Sequence, residues 1–122
     1  MGFVWVALGG AIGSSARYGV NILAPRLLGE SFPWATFLVN ILGCFVMGAI
    51  TAFLRTKMPD DETLRLFLTT GLMGGFTTFS AFSLDFFNLM QRGQMPLAIL
   101  YALASGIVSI VAVFIGFRLL AA

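Results

Sequence analysis

The sequence predicts an all-α membrane protein, with four transmembrane helices in one domain that covers residues 1–122. Apolar residues make up 59% of the chain and charged residues 10%, whereas soluble domains carry about 25% charge. Four apolar stretches also have the roughly 20 residues that a helix needs to cross a bilayer. They cover about residues 3–24, 33–54, 64–89 and 95–120. We therefore expect lipid to surround most of the chain.

The breaks between these stretches carry turn or charge signals. Pro25 and Gly29 end the first stretch, Pro59 with two aspartates marks the second break, and Gly93 marks the third. The first stretch has no basic residue before Arg17, so it lacks the positive n-region of a secretory signal peptide. We expect it to remain in the protein as a membrane helix.

The charges of the connecting loops leave the orientation in the membrane open. With four spans, four basic residues lie on one side of the bilayer. Two lie on the other side, or three if the side chain of Arg17 extends to that side. The first group is Arg55, Lys57, Arg65 and Arg118, and the second is Arg26, Arg92 and Arg17. Because this asymmetry is weak, both a single orientation and a dual topology, with antiparallel pairs of copies, agree with the positive-inside rule.

Composition also excludes several classes of function. A net charge of +2 without a Lys/Arg cluster argues against nucleic-acid binding. The chain has no histidine, so no Ser/His/Asp triad can form, and we expect neither an enzyme nor an organic cofactor. Cys44 is the only cysteine, which excludes an intramolecular disulfide. Its apolar neighbours favour a role as a small packing residue.

The third stretch contains the poorest helix-forming sequence of the chain, Gly74-Gly75-Phe76-Thr77-Thr78. We expect this segment to break the third helix near the middle of the membrane. Non-helical backbone at that depth persists only where it is buried in protein or lines a cavity, and its free carbonyls can coordinate a cation. The alternative is an intact helix whose glycines, like those of Gly9-x-x-x-Gly13, only allow close packing.

Two phenylalanines and an asparagine are candidates for contact with an anion. Phe79 and Phe82 follow the break three residues apart and therefore share a helix face. The positive edges of phenyl rings can face an anion without holding it tightly, although packing is the commoner role of phenylalanine. Asn40, four residues after Thr36, offers two amide donors, and its ordinary role would be a hydrogen bond between helices.

The fourth stretch carries Tyr101, Ser105 and Ser109 at successive four-residue steps. This hydroxyl stripe could replace part of an anion's hydration shell, although serines also bond to carbonyls of their own helix. Arg17, inside the first stretch, needs water or a partner. It is a candidate for an electropositive vestibule, or a residue that snorkels. Asp85 is the only acidic residue within a predicted span, and the sequence assigns it no role.

Together these patterns resemble the Fluc, or CrcB, family of fluoride channels over essentially the whole chain. The motifs that carry the resemblance are Gly9-Gly10-x-x-Gly13-x-x-x-Arg17-Tyr18, Pro33-x-x-Thr36-x-x-x-Asn40-x-x-Gly43 and Gly71-x-x-Gly74-Gly75-Phe76-Thr77-Thr78-Phe79-Ser80-x-Phe82. The last motif is the most specific. Tyr101 and its two serines are similar to the family's fourth helix.

The resemblance implies a dual-topology, antiparallel homodimer with two fluoride pores, as a multi-pass protein of a bacterial inner (plasma) membrane. It implies a structural Na⁺ at the dimer centre, held by the main-chain carbonyls of Gly74 and Thr77 from both copies. It also implies passive export of fluoride, which protects the cell from its toxicity. The pore residues carried over by the resemblance are Asn40, Phe79, Phe82, Tyr101, Ser105 and Ser109.

Two other functions deserve comparison. Small dual-topology multidrug exporters have a similar size and helix count, but proton coupling needs a titratable group within the membrane. Residues 1–28 contain no acidic residue, which leaves only Asp85. A non-transporting scaffold or accessory subunit would explain the packing glycines, but it would not explain the aligned hydroxyl groups.

Overall fold

The computed structural model describes residues 1–121, which are almost entirely helical and contain no β-strand. This part of the chain forms six α-helices and one π-helix. They are α1 (Gly2–Leu28), α2 (Trp34–Lys57), α3 (Glu62–Arg65), the π-helix (Leu66–Met73), α4 (Gly74–Phe76), α5 (Phe79–Gln91) and α6 (Met95–Ala121). The all-α class predicted from the sequence is confirmed.

Helix α1 continues past its expected end at residue 24 and includes Pro25. A proline removes one backbone donor, yet the three residues that follow it remain helical. The helix ends at Gly29, whose φ of 86° suits a residue without a Cβ atom. The N–H of Gly29 donates to the carbonyl of Pro25 at 3.0 Å, which closes the last turn.

The helices pack in two groups that share α2. Helix α2 packs mainly on α6, and α1 packs on the π-helix and α4. One buried cluster surrounds Tyr101, where α5 meets α6. A second cluster, formed by Val39, Met73 and Phe76, lies where α2 meets the π-helix and α4. Through these contacts α2 fixes the third segment of the chain, which is the predicted third stretch (residues 64–89), relative to α6.

The third segment leaves the helical conformation at two residues, Thr77 and Thr78. Their φ/ψ angles are −83°/159° and −153°/122°, which are extended. Gly74, Gly75 and Phe76, which we expected to belong to the break, are helical instead. β-Branched threonines accept extended backbone readily, and glycine serves here for packing. A Cβ atom on Gly75 would lie 2.7 Å from a main-chain oxygen of α1, so only glycine allows this contact.

The π-helix just before α4 was not expected from the sequence. In a π-helix each N–H reaches back five residues, and accordingly the N–H of Gly74 donates to the carbonyl of Thr69. Such turns occur frequently at functional sites. The irregular part of the third segment therefore begins earlier than the predicted break, and it includes eight residues of widened helix.

The outer surface of the helices is strongly apolar. Helices α2 and α6 are the two that are long and apolar enough to cross a bilayer by length and composition, with mean hydropathies of 2.2 and 2.5. Large apolar side chains of α6 are exposed along its length, among them Leu103, Ile107, Ile110, Phe114 and Leu119. Apolar surface of this extent is suited to contact with lipid or with another protein.

Candidate functional site

Asn40 and Thr78 form a reciprocal pair of hydrogen bonds between α2 and the break. The side-chain amide of Asn40 donates to the carbonyl of Thr78 at 3.0 Å, and the N–H of Thr78 donates to Asn40 Oδ1 at 2.9 Å. Both main-chain groups of this non-helical residue are thus satisfied by one side chain. Because an amide nitrogen carries two N–H groups, one donor of Asn40 remains for another partner.

The two threonines of the break also order its ends. The hydroxyl of Thr77 donates to the carbonyl of Met73 at 3.0 Å, and this bond closes the end of the preceding helix. The hydroxyl of Thr78 accepts from the N–H of Ala81 at 3.1 Å, which makes Thr78 the N-cap of α5. Gly43 allows α2 to approach here, since a Cβ atom at that position would overlap the methyl group of Thr77. The break is therefore a defined turn, in which the hydroxyls of both threonines and the side chain of Asn40 form hydrogen bonds.

A cavity of about 300 Å³ adjoins the break and lies between α2, α5 and α6. It brings together five of the six residues expected to form a pore. These are Asn40, Phe79, Phe82, Ser105 and Ser109. The other lining residues are Cys44, Thr77, Thr78, Gly106 and Ile110, so no lining side chain carries a formal charge.

Two hydroxyl groups in this cavity have no hydrogen-bond partner among residues 1–121. They are the Oγ atoms of Ser105 and Ser109, and both are buried. The expected alternative, a bond from each serine to a carbonyl of its own helix, is not formed. A buried polar group without a partner costs roughly 1–3 kcal/mol. These hydroxyls would therefore gain from a polar occupant of the cavity.

Phe79 and Phe82 lie side by side at the start of α5. Their ring centroids are 5.6 Å apart and their planes are inclined by 44°. Phe82 is partly buried, whereas Phe79 is 78% exposed. The chain by itself thus encloses one of the two rings and leaves the other uncovered.

Tyr101 differs from the other expected pore residues because it does not line the cavity. Its side chain is completely buried, and its ring packs on Phe82 with centroids 5.1 Å apart. Its hydroxyl donates to Asp85 Oδ2 at 3.2 Å. Asp85 lines a second, polar cavity of about 320 Å³, together with Asn88 and Arg92. The Tyr101–Asp85 pair therefore lies between the two cavities.

Gly74 is the first residue of α4, and Thr77 directly follows its last residue. Among residues 1–121 neither main-chain carbonyl accepts a hydrogen bond from the turn or from a side chain. Carbonyl oxygens of this kind are ligands that hard cations accept. No group of three or more Cys, Asp or Glu residues is placed to bind a metal in the part of the chain that the structure describes. Main-chain carbonyl oxygens are hard ligands, of the kind that hard cations prefer.

Arg17 has a partner that the sequence did not indicate. Its Nε donates to the carbonyl of Gly75 at 3.1 Å, and the hydroxyl of Ser14 reaches the same oxygen at 3.5 Å. Arg17 thus holds α1 to the third segment, and it does not line the cavity beside the break. A structural role accounts for its position within the helix.

Three further features of the site were not found from the sequence. Thr78 is both a cap and the partner of Asn40, Asp85 bonds to Tyr101, and Cys44 lines the cavity instead of packing in an apolar core. Cys44 carried one usable signal, its spacing of four residues from Asn40, which places both on one helix face. The Asn40–Thr78 and Asp85–Tyr101 pairs join residues on different helical segments, and no residue spacing in the sequence indicates them.

Comparisons with known proteins show the family of the chain. The family model described as CrcB-like protein, Camphor Resistance (CrcB), matches residues 4–117. The chain belongs to the CrcB family. It is 50% identical over 114 residues to the fluoride-specific ion channel FluC of Agrobacterium fabrum, covering 93% of this chain and 91% of that protein. The same resemblance was inferred from the motifs of the helices, and it is confirmed.

Other CrcB-family relatives carry the same description. The fluoride-specific ion channel FluC of Paracoccus denitrificans is 52% identical over 114 residues, which cover 93% of this chain and 90% of the relative. That of Rhizobium etli is 49% identical over 117 residues, with 96% and 94% covered. Both relatives are named as ion channels, in agreement with the expectation that the family is not one of enzymes.

Proposed function

We propose that this chain forms a fluoride-selective channel, which carries fluoride passively out of the cell across the plasma membrane. The observation that carries the proposal is the cavity beside the break, where two buried serine hydroxyls have no partner. The names of the relatives, which are fluoride-specific ion channels at about half identity, identify the ion. Export would lower the fluoride concentration of the cell and with it the toxicity of the ion.

The chemistry of the lining suits a small anion that must enter and leave. Fluoride gives up a strong hydration shell, so it needs several donors at short range. The free N–H of Asn40 and the hydroxyls of Ser105 and Ser109 supply them, and the ring edges of Phe79 and Phe82 add a weaker positive field. None of the lining side chains is charged. A site without a fixed cation binds the ion without trapping it, as conduction requires.

Tyr101 takes a different part in the proposed pathway from the one the resemblance implies. Its hydroxyl is bonded to Asp85, and its ring supports Phe82. We propose that the pair forms the boundary between the neutral cavity and the polar cavity with Asn88 and Arg92, which would be a vestibule open to water.

The working unit would be an antiparallel, dual-topology homodimer with two pores. This proposal rests on the family resemblance, on the weak charge asymmetry of the loops and on the exposure of Phe79. A ring that is 78% exposed next to the cavity would be covered by a second copy. Each copy would cross the membrane four times, with the third span interrupted at Thr77 and Thr78, as expected for a bacterial inner-membrane protein.

A structural Na⁺ would lie at the centre of this dimer. The carbonyls of Gly74 and Thr77 from both copies would hold it, and their lack of other partners supports this assignment. The bonds of Arg17 and Ser14 to the carbonyl of Gly75 keep that third oxygen occupied. The ion would supply positive charge that joins the two copies at the irregular backbone. It would not be the ion transported.

Efflux from proteoliposomes tests the proposal. The purified chain is reconstituted, and the passive loss of fluoride and of chloride is recorded with ion-selective electrodes. We expect rapid loss of fluoride and none of chloride. The variants Phe79→Ile and Asn40→Asp should lose most of this flux, and full flux in either would refute the site assignment. Equal loss of the two ions would refute selectivity.

Labelling from the two sides of the membrane tests the topology. A tag is fused to the C-terminus, and sealed inner-membrane vesicles of one orientation, prepared from cells that express the protein, are treated with an impermeant protease. Dual topology predicts that about half of the tags are removed. Complete removal, or complete protection followed by removal in detergent, would contradict it.

A further inference from the structure

The cavity beside the break also contains the chain's only thiol, that of Cys44. We infer that Cys44 is a further wall residue of the anion pathway, and that a small thiol-directed reagent attached to it blocks conduction. The inference rests on the proposed function. It assigns Cys44 a place in the permeation pathway, where its apolar sequence neighbours had indicated only packing.

The position of Cys44 follows from its spacing and its neighbours. It comes four residues after Asn40 on α2, which places the two side chains on the same face, one helical turn apart. Its side chain is partly exposed. Cys44 and Ser109 of α6 both line the cavity, and the Oγ of Ser109 has no hydrogen-bond partner among residues 1–121. The side chain of Cys44 therefore borders the cavity, on the same face of α2 as Asn40.

A second observation points to a ligand at this place independently of the thiol. Ser105 is 5% exposed, it lines the same cavity, and its Oγ has no hydrogen-bond partner among residues 1–121. An occupant that accepts a hydrogen bond from Ser105 would also lie near Ser109 and Cys44. The S–H group is a weak donor, which suits a position that an anion crosses without stopping.

Methyl methanethiosulfonate is a suitable probe because it is small and uncharged. The thiolate of Cys44 attacks the sulfenyl sulfur of the reagent, a protein–S–S–CH₃ disulfide forms, methanesulfinate leaves, and the thiol proton passes to water. The added methylthio group would occupy the cavity in front of Ser109. A reducing thiol reverses the reaction and removes the group.

The experiment measures labelling and conduction on the same sample. Proteoliposomes containing the native chain are treated with the reagent, fluoride efflux is recorded with an electrode, and intact mass gives the labelled fraction. We expect efflux to fall in proportion to the labelled fraction and to return after treatment with dithiothreitol. Because Cys44 is the only cysteine, the native chain has no background labelling.

Two variants serve as controls. Cys44→Ser should bind no reagent, and its efflux, compared with its own untreated sample, should not change on treatment. The double variant Cys44→Ser/Leu103→Cys moves the thiol to the outer side of α6, where Leu103 is 58% exposed and does not line the cavity. Labelling there should leave efflux unchanged, which separates a block of the pathway from a general effect of modification.

Two results would overturn the inference. Complete labelling of Cys44 with unchanged efflux would show that the thiol does not border the pathway. Failure to label the folded protein, while the SDS-unfolded protein reacts, would show that packing closes the thiol off. If the untreated protein conducts no fluoride, the proposed function fails by itself. The mass measurement then decides separately whether Cys44 opens into the cavity.

Discussion

Replacement of Asn40 by alanine tests how the break in the third segment is held. The change removes both hydrogen bonds to the main chain of Thr78. Hydrogen bonds between helices in membranes contribute about 0.6 kcal/mol on average and about 1.7 kcal/mol at most, so two of them give roughly 1–3 kcal/mol. We expect the upper part of this range, because Thr78 is extended and its N–H has no helical partner to return to.

The assay is unfolding in mixed micelles titrated with SDS and followed by circular dichroism. Asn40→Asp retains an acceptor for the N–H of Thr78 but places carboxylate oxygens against its carbonyl, so it should be destabilising as well. The matched control is Asn88→Ala, an exposed asparagine of α5, with an expected change below about 0.5 kcal/mol. If Asn40→Ala unfolds like this control, the pair of bonds does not hold the break.

The same titration tests three further contacts around this site, each with its own variants. Gly75→Ala should lower the free energy of unfolding by about 1–3 kcal/mol, since its Cβ atom would press on the backbone of α1. Gly19→Ala, where a Cβ atom meets nothing within 4 Å, should cause no loss, and equal losses would contradict the packing argument. Arg17→Met removes a charged donor from the carbonyl of Gly75 and should cost about 1.5–3 kcal/mol, partly recovered by lysine; an unchanged midpoint would mean the bond is not formed. Tyr101→Phe should lose about 1.5–3 kcal/mol, and strictly additive losses with Asp85→Asn would argue against their hydrogen bond.

The class of the fold followed from composition, because a chain with 10% charged residues cannot cover a water-facing surface. The location of the irregular backbone could be predicted from the sequence only in part. Poor helix formers marked the correct segment, but helix propensity alone could not separate glycines that pack from threonines that leave the helix. The contact of Gly75 with α1 decides between these roles, and that contact depends on tertiary packing.

In the candidate site, too, one part could be predicted from the sequence and another part could not. The four-residue spacing along α6 brought Ser105 and Ser109 to one face, and the structure places both in the cavity. The same spacing included Tyr101, whose hydroxyl instead bonds to Asp85 on another helix. Spacing predicts which side chains share a face, but it does not predict which partner on a facing helix takes up their hydrogen bonds.

Conduction of fluoride with exclusion of chloride can be measured as the reversal potential in a planar bilayer. Fluoride is placed in excess on one side of the membrane and chloride in excess on the other. We expect the current through the reconstituted protein to vanish at the equilibrium potential of fluoride. A reversal potential near that of chloride, or the absence of any protein-dependent current, would contradict it.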